Sequence, residues 1–216
     1  MWPSAVALSR WLMTNPSAVC GKRVLEIGAG CGLTGLVAAR LQKQWDADSS
    51  NVLDQQQQQR QGVIISDFNT TVLQNLQHNV VLNSVDDICN VVGLDFYQQS
   101  GTASSWKGMD GAARDQVDVV LAADMICQLS DAVGAANTVH DALLPGGTGI
   151  VVCADAAHRF GVDRFHAECQ RVGLETSVQD LGELNKGKLL SMGFEQTAGY
   201  VEGMRLLLFL LKKPQQ

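Results

Sequence analysis

The stretch Val24-Leu25-Glu26-Ile27-Gly28-Ala29-Gly30-Cys31-Gly32-Leu33-Thr34-Gly35 decides how the rest of the 216-residue chain is read. A short apolar run meets an acidic residue, then glycines at alternate positions, then a helical pattern from Leu33 onward. A strand that stops at such a turn and feeds a helix aims backbone N–H groups and the positive helix end at one ligand. Glycine suits the turn because a side chain would hold the ligand off the backbone and because tight turns often need a positive φ.

Outward from this turn, strand and helix patterns alternate. Ala5, Leu8, Trp11 and Leu12 predict a short amphipathic helix over 4–13, after Trp2-Pro3, and the first strand covers Arg23 to Ile27. The next helix is expected from Leu33 to about Leu41. Residues 43–61, with five consecutive glutamines, read as a low-complexity insertion too poor in apolar residues to pack. Strands are predicted at Val63–Asp67, Ile88–Leu94, Val117–Ala123 and Ile150–Ala154, with helices after Asn69, from Ser130 and around Val162–Val172. Residues 98–115 are expected to form a polar surface loop whose one large apolar group is Trp106. A weak strand near Leu174–Val178, a mobile-looking stretch at 182–199 and a strong strand at Met204–Leu211 complete the pattern. Such alternation predicts an α/β fold, a mostly parallel sheet with helices on both faces, and the length suits one domain over 1–216.

A net charge of −6 and a pI near 5.1 argue against a broad nucleic-acid-binding face. Six scattered cysteines with no CxxC pair suggest reduced thiols and no metal site. The longest apolar run, Leu206 to Leu211, is too short for a membrane span, and Arg10 interrupts the N-terminal apolar stretch where a secretory signal would sit. Cytoplasm or nucleus is the expected compartment.

Asp67 ends the second strand, where a carboxylate can accept hydrogen bonds from both ribose hydroxyls of a nucleoside cofactor. Its separation from Gly32 is 35 residues, against a usual gap of about 20. The glutamine-rich insertion accounts for the excess. A dinucleotide fingerprint starting at Gly28 would place its third glycine at Leu33, which disfavours a nicotinamide dehydrogenase. His158, after the fifth strand, is read as an exposed loop histidine, although strand ends on that side gather ligands.

The string Glu26-x-Gly28-x-Gly30-x-Gly32 resembles motif I of class I S-adenosylmethionine-dependent methyltransferases. Together with Trp2-Pro3-Ser4, Leu94-Asp95-Phe96 and Ala122-Ala123-Asp124-Met125-Ile126-Cys127, it is similar in order to the seven-β-strand protein-lysine methyltransferases called methyltransferase family 16. Members of that family have often been labelled nicotinamide N-methyltransferase-like. The resemblance implies a Rossmann-like sheet of seven strands whose last, Met204–Leu211, runs antiparallel beside the fifth. It implies S-adenosyl-L-methionine as cofactor, held by Trp2, Glu26, Gly28, Ala29, Gly30, Gly32, Asp67, Phe96 and Ala123. Asp124 is implied as the catalytic residue, and the partner as a protein bearing a target lysine, with no nucleic acid, membrane or metal and a monomeric enzyme. Asp124 opens the family's Asp-x-x-Tyr/Phe motif, but Cys127 replaces the aromatic. Family members usually carry a further segment before the Trp, whereas Met1 directly precedes Trp2 here. Two alternatives share the cofactor residues: a small-molecule N-methyltransferase, and a non-catalytic S-adenosylmethionine-binding interaction protein.

Overall fold

In the computed structural model, which describes residues 2–48, 62–155, 159–181, 197, 200 and 204–215, the chain alternates helix and strand around one large sheet. The elements are α1 (Pro3–Thr14), β1 (Arg23–Ile27), α2 (Leu33–Asp48), β2 (Gly62–Asp67), α3 (Thr70–Leu82), β3 (Cys89–Gly93), a minimal hairpin β4 (Trp106–Lys107) and β5 (Ala113–Arg114), β6 (Val117–Ala123), α4 (Leu129–Ala142), β7 (Leu143–Asp155), α5 (Val162–Arg171), β8 (Glu175–Asp180) and β9 (Arg205–Lys212). The sheet order is β3-β2-β1-β6-β7-β9-β8. Only β9 among these strands runs antiparallel, pairing with β7 on one side and β8 on the other. The seven-stranded, mostly parallel architecture is therefore the expected one, with the last strand inserted beside β7.

Side-chain alternation splits the core into two layers. Leu25, Ile27, Val120 and Ala122 face α4 and α5, where Ala132, Ala136, Val139 and Phe165 meet them. Val24, Val119 and Leu121 face the other way, toward Leu8 and Leu12 of α1, Leu36 and Ala39 of α2, and Leu76 and Val80 of α3. Strands covered on both faces carry near-continuous apolar runs, which is why β6 reads Val-Asp-Val-Val-Leu-Ala-Ala. Phe165 and Phe209 add an edge-to-face contact at 5.1 Å between ring centroids.

Three expectations are corrected. The second helix does not stop near Leu41 but continues to Asp48, taking 43–48 from the expected insertion. Its inner face is prolonged by Gln42, buried with its amide donating to the Val19 and Lys22 carbonyls at 3.0 and 2.8 Å. Residues 49–61 lie outside the described residues, as do all of 182–199 except Thr197. The loop at 98–115 is not purely superficial: Trp106 is fully buried and its indole N–H donates to the Asp115 carbonyl at 3.0 Å. Asp141 of α4 anchors the same loop, its carboxylate accepting from the backbone N–H groups of Ser100, Gly101 and Ala103. Finally, β7 begins at Leu143 and takes in the Leu144-Pro145-Gly146-Gly147 segment, where the Gly146 N–H donates to the Lys213 carbonyl.

Candidate active site

The strand order reverses between β1 and β6, and at such a switch point the carboxyl ends of the strands open a crevice. Parallel registers place Ile27 beside Ala122 and Asp67 beside Gly93, so the turns after β1, β2 and β6 share one edge. The glycine turn occupies this edge. Gly28, Gly30 and Gly32 have φ of +64°, +56° and +80°, a conformation that side-chain-bearing residues avoid. The turn is tied to β2 by the Ala29 N–H donating to the Ser66 carbonyl at 2.9 Å, and the Ser66 hydroxyl donates back to the Glu26 carbonyl at 2.7 Å. A Cβ on Gly35 would lie 2.6 Å from the Glu26 carboxylate and 2.7 Å from Ile65, so Gly35 is what lets α2 pack against the strands. Gly30-Gly32-Gly35 thus has the G-x-G-x-x-G spacing, so Leu33 does not by itself exclude a dinucleotide.

Glu26 turns away from the crevice. Its carboxyl is buried behind the turn and accepts from the Gly35 N–H at 2.8 Å, at the positive end of α2. Burial pushes its pKa up to about 8, the Gly35 N–H holds it back, and the Asp67 charge raises it further. The folded protein therefore keeps a proton on Glu26 at neutral pH that the unfolded chain loses above about 4.5. Its stabilising contribution is fully present below that value and is lost as pH rises toward 8. Glu26→Gln, which carries no proton to lose, is expected to gain about 2.5 kcal/mol on the native protein between pH 5.5 and 7.5. Parallel urea-unfolding curves for both proteins would show the gap widening; a constant gap would refute the assignment.

Asp67 sits at the centre of the edge. One carboxylate oxygen accepts from the Gly30 N–H at 3.1 Å and the other from the Asn69 N–H at 3.0 Å, while Asn69 caps α3 by accepting from Thr71 and Val72. Asp67 and Gly28 form one wall of a cavity of about 560 Å³ that extends between Phe68, Leu94, Phe96 and Met125. Three carboxylates line it, those of Asp67, Asp95 and Asp131, and no lysine or arginine among the described residues does. The sequence reading missed Tyr97 and Asp131. Tyr97 donates its hydroxyl to Asp131, whose other oxygen accepts from the Cys127 and Gln128 N–H groups at 2.8 and 3.0 Å. Asp131 in the first turn of α4 is a helix-start signal legible in the sequence; that its carboxylate faces a cavity is not.

A second cluster adjoins the cavity through Cys127. Asp124 follows β6 with φ +57°, an uncommon conformation for a residue other than glycine. Its carboxylate, 2% exposed, accepts from the Arg159 guanidinium at 2.7 Å. The same guanidinium lies 2.7 Å from the Cys127 sulfur and 5.1 Å from the centroid of the Trp2 ring. Burial pushes the Cys127 thiol up, and Arg159 pulls it back down. Arg159 carried no sequence signal, since it follows a different strand from Asp124. Of the residues singled out in the sequence, Gly28, Asp67 and Phe96 line the cavity, Gly30 is held by Asp67, and Trp2 and Asp124 join the Arg159 cluster. Ala29 and Ala123 pack with the α1–α2 layer, and a Cβ on Gly32 would meet Leu76 of α3 at 2.6 Å. His158 lies outside the described residues.

The family model described as lysine methyltransferase matches residues 1–166, a span that contains the glycine turn, the cavity and the Arg159 cluster. The chain belongs to the lysine methyltransferase family. Among relatives, it is 26% identical over 183 residues to the protein-lysine N-methyltransferase EFM3 of Chaetomium thermophilum, covering 82% of this chain and 48% of that one. It is 28% identical over 128 residues to human protein-lysine N-methyltransferase EEF2KMT, covering 58% of this chain and 34% of that one. A 37-residue stretch, 17% of this chain and 14% of that one, is 54% identical to the mouse electron transfer flavoprotein beta subunit lysine methyltransferase. The chain thus spans between about a third and a half of the length of the two longer-matching relatives. Among solved structures, a TehB-like SAM-dependent methyltransferase from Corynebacterium glutamicum superposes with a TM-score of 0.59 at 14% identity, covering 97% of this chain and 88% of that one.

The residues present fit an S-adenosyl group. A Cβ on Gly30 would meet nothing within 4 Å, leaving room against the backbone, and Asp67 retains lone pairs beside it for ribose hydroxyls. Phe68, Phe96 and Tyr97 offer aromatic faces for a purine, and the three carboxylates suit a ligand bearing positive charge.

Proposed function

We propose that this chain is an S-adenosylmethionine-dependent methyltransferase that methylates a lysine side chain of another protein. The observation that carries the reading is the cavity's charge: three aspartates and no lysine or arginine among the described lining residues. A dinucleotide would bring its pyrophosphate against these carboxylates, whereas a sulfonium is attracted to them. S-adenosylmethionine, when bound, supplies an electrophilic methyl group on sulfur. Methyl transfer is then dominated by positioning, which a rigid crevice between strand ends provides. On this reading Asp67 accepts the ribose hydroxyls, Phe96 flanks the adenine, and Gly28 and Gly30 leave the turn open to the methionine end. Asp124 orients the acceptor amine and stabilises the methylammonium product. The amine must be neutral when it attacks although a free lysine titrates near 10.4, and a water-poor crevice favours that form.

Support for a protein acceptor comes from relatives whose names carry protein-lysine methylation, at partial coverage. The proposal treats residues 1–216 as one methyltransferase domain acting as a monomer, in the cytoplasm or nucleus. Its test is calorimetric titration with S-adenosylhomocysteine, followed by incubation of labelled cofactor with a cell lysate. Binding, and label in protein bands on lysine, are expected. Asp124→Asn should retain binding within a few-fold and lose roughly 100-fold or more of the protein label. Absence of binding by folded protein would defeat the reading, and label confined to small molecules would defeat its acceptor half.

A further inference from the structure

We propose that Asp124 and the face of Trp2 together form the seat for the acceptor's cationic head, and that Arg159 fills this seat until an acceptor displaces it. The inference rests on the methyltransferase reading above and deepens its acceptor side. A carboxylate opposed by an aromatic face is what recognises an alkylammonium: the carboxylate pairs with the charge and the ring attracts it by cation–π interaction. In this chain the ring does not come from the third position after Asp124, which is Cys127, but from the start of α1. Trp2 is 46% exposed, with one face on Arg159, so its ring is reachable from outside.

Arg159 uses this seat poorly. Its side chain is 9% exposed, yet its Nε–H is buried with no acceptor among the described residues, and one terminal nitrogen meets a thiol, a weak acceptor. A well-built arginine site engages the guanidinium fork with two parallel hydrogen bonds to one carboxylate; here a single nitrogen reaches Asp124. A buried unpaired donor is costly, which lowers the barrier to leaving. The aim of Asp124 is also held against strain, since an αL conformation disfavours residues other than glycine.

The displaced guanidinium has somewhere to go. A cleft of about 400 Å³ flanks Arg159, between Leu129, Phe160 and the first turn of α5. Asp155 and Asp163 line it, with Arg164 as a competing cation. Asp155 also pairs with Arg205 at 3.4 Å, but both side chains are about half exposed, so its carboxylate remains open to a second partner. A swing into this cleft trades one carboxylate for another and takes the guanidinium off Asp124 and the Trp2 face. The consequence for specificity is that the acceptor must dock as a slender cation able to compete with a guanidinium and shed its proton before it attacks, which describes a lysine and not a neutral or anionic small molecule.

The test uses n-butylammonium, which reproduces a lysine side chain, titrated without cofactor and followed by NMR. Arg159→Ala is expected to bind it roughly tenfold or more tightly than the native protein. Arg159→Lys, which keeps a cation in the seat, should bind as weakly as the native protein. Adding Trp2→Ala or Asp124→Asn to Arg159→Ala should remove the gain. Thermal unfolding checks each variant, and Arg159→Gln, which keeps a donor for Asp124 without the charge, replaces Arg159→Ala if the latter does not fold. Equal binding by native and opened proteins would show that Arg159 does not occupy the seat. Binding that survives loss of Trp2 and Asp124, or binding by neither protein, would show that the seat lies elsewhere. Failure of the methyltransferase reading itself registers separately, as absence of S-adenosylhomocysteine binding.

Discussion

Asp67→Ala is expected to weaken S-adenosylhomocysteine binding by roughly 100-fold or more while leaving the protein folded. Hydrogen bonds to an ionised carboxylate contribute about 1.5–3 kcal/mol each, so losing two of them to ribose hydroxyls amounts to about 3 kcal/mol or more, two orders of magnitude in affinity. The same carboxylate holds the Gly30 and Asn69 N–H groups, so the turn also loosens. Both donors lie in part-buried hydrogen bonds at the rim, where water can replace the lost acceptor, and the stability cost should stay near 1 kcal/mol. Asp67→Asn keeps one acceptor oxygen and should fall between, at roughly tenfold. Calorimetric titration gives the affinities, and a melting curve shows whether the fold survives. Native-like affinity in the alanine variant would remove Asp67 from the site.

Trp106→Ala is expected to cost about 3–5 kcal/mol, a large part of a typical domain's stability. Trp106 is fully buried in the layer that also holds Ile64, Leu94 and Ala132. The hairpin carrying it has only two residues in each strand, so backbone pairing alone cannot hold it. Removing the indole leaves a cavity and an unpaired Asp115 carbonyl, and it frees the segment whose Met109 N–H donates to the Gly93 carbonyl at the end of β3. Because β3 leads directly into Leu94, Asp95 and Phe96, the cavity should loosen together with the core. Trp106→Phe preserves most of the volume and should cost about 1–2 kcal/mol. Urea unfolding separates these values; a loss below 1 kcal/mol for the alanine variant would mean that the hairpin peels away without disturbing the core.

The cofactor side of the site was more legible in the sequence than the acceptor side. Glycines forced by positive φ, an acidic residue at a strand end and an apolar run between them are local demands, so they appear as a string of adjacent letters. Element ends were less legible. The continuation of α2 to Asp48 depends on Gln42 being satisfied by the Val19 and Lys22 carbonyls, a contact with another part of the chain. Trp106 in a Gly- and Ser-rich segment resembled a lone apolar residue in a loop, and only the layer beneath shows why it is there.

By itself the sequence determined the alternation of strands and helices, the glycine turn between β1 and α2, and Asp67 as the carboxylate beside it, because periodicity and backbone strain act over a few neighbouring residues. Tertiary structure decided the rest. It turned Glu26 inward to α2, gave the close-packing role to Gly35, gathered Asp67, Asp95 and Asp131 around one cavity, and set Trp2 and Arg159 at Asp124. Those residues come from separate elements, and their meeting follows from the order in which the strands pair, which no single stretch of the chain encodes.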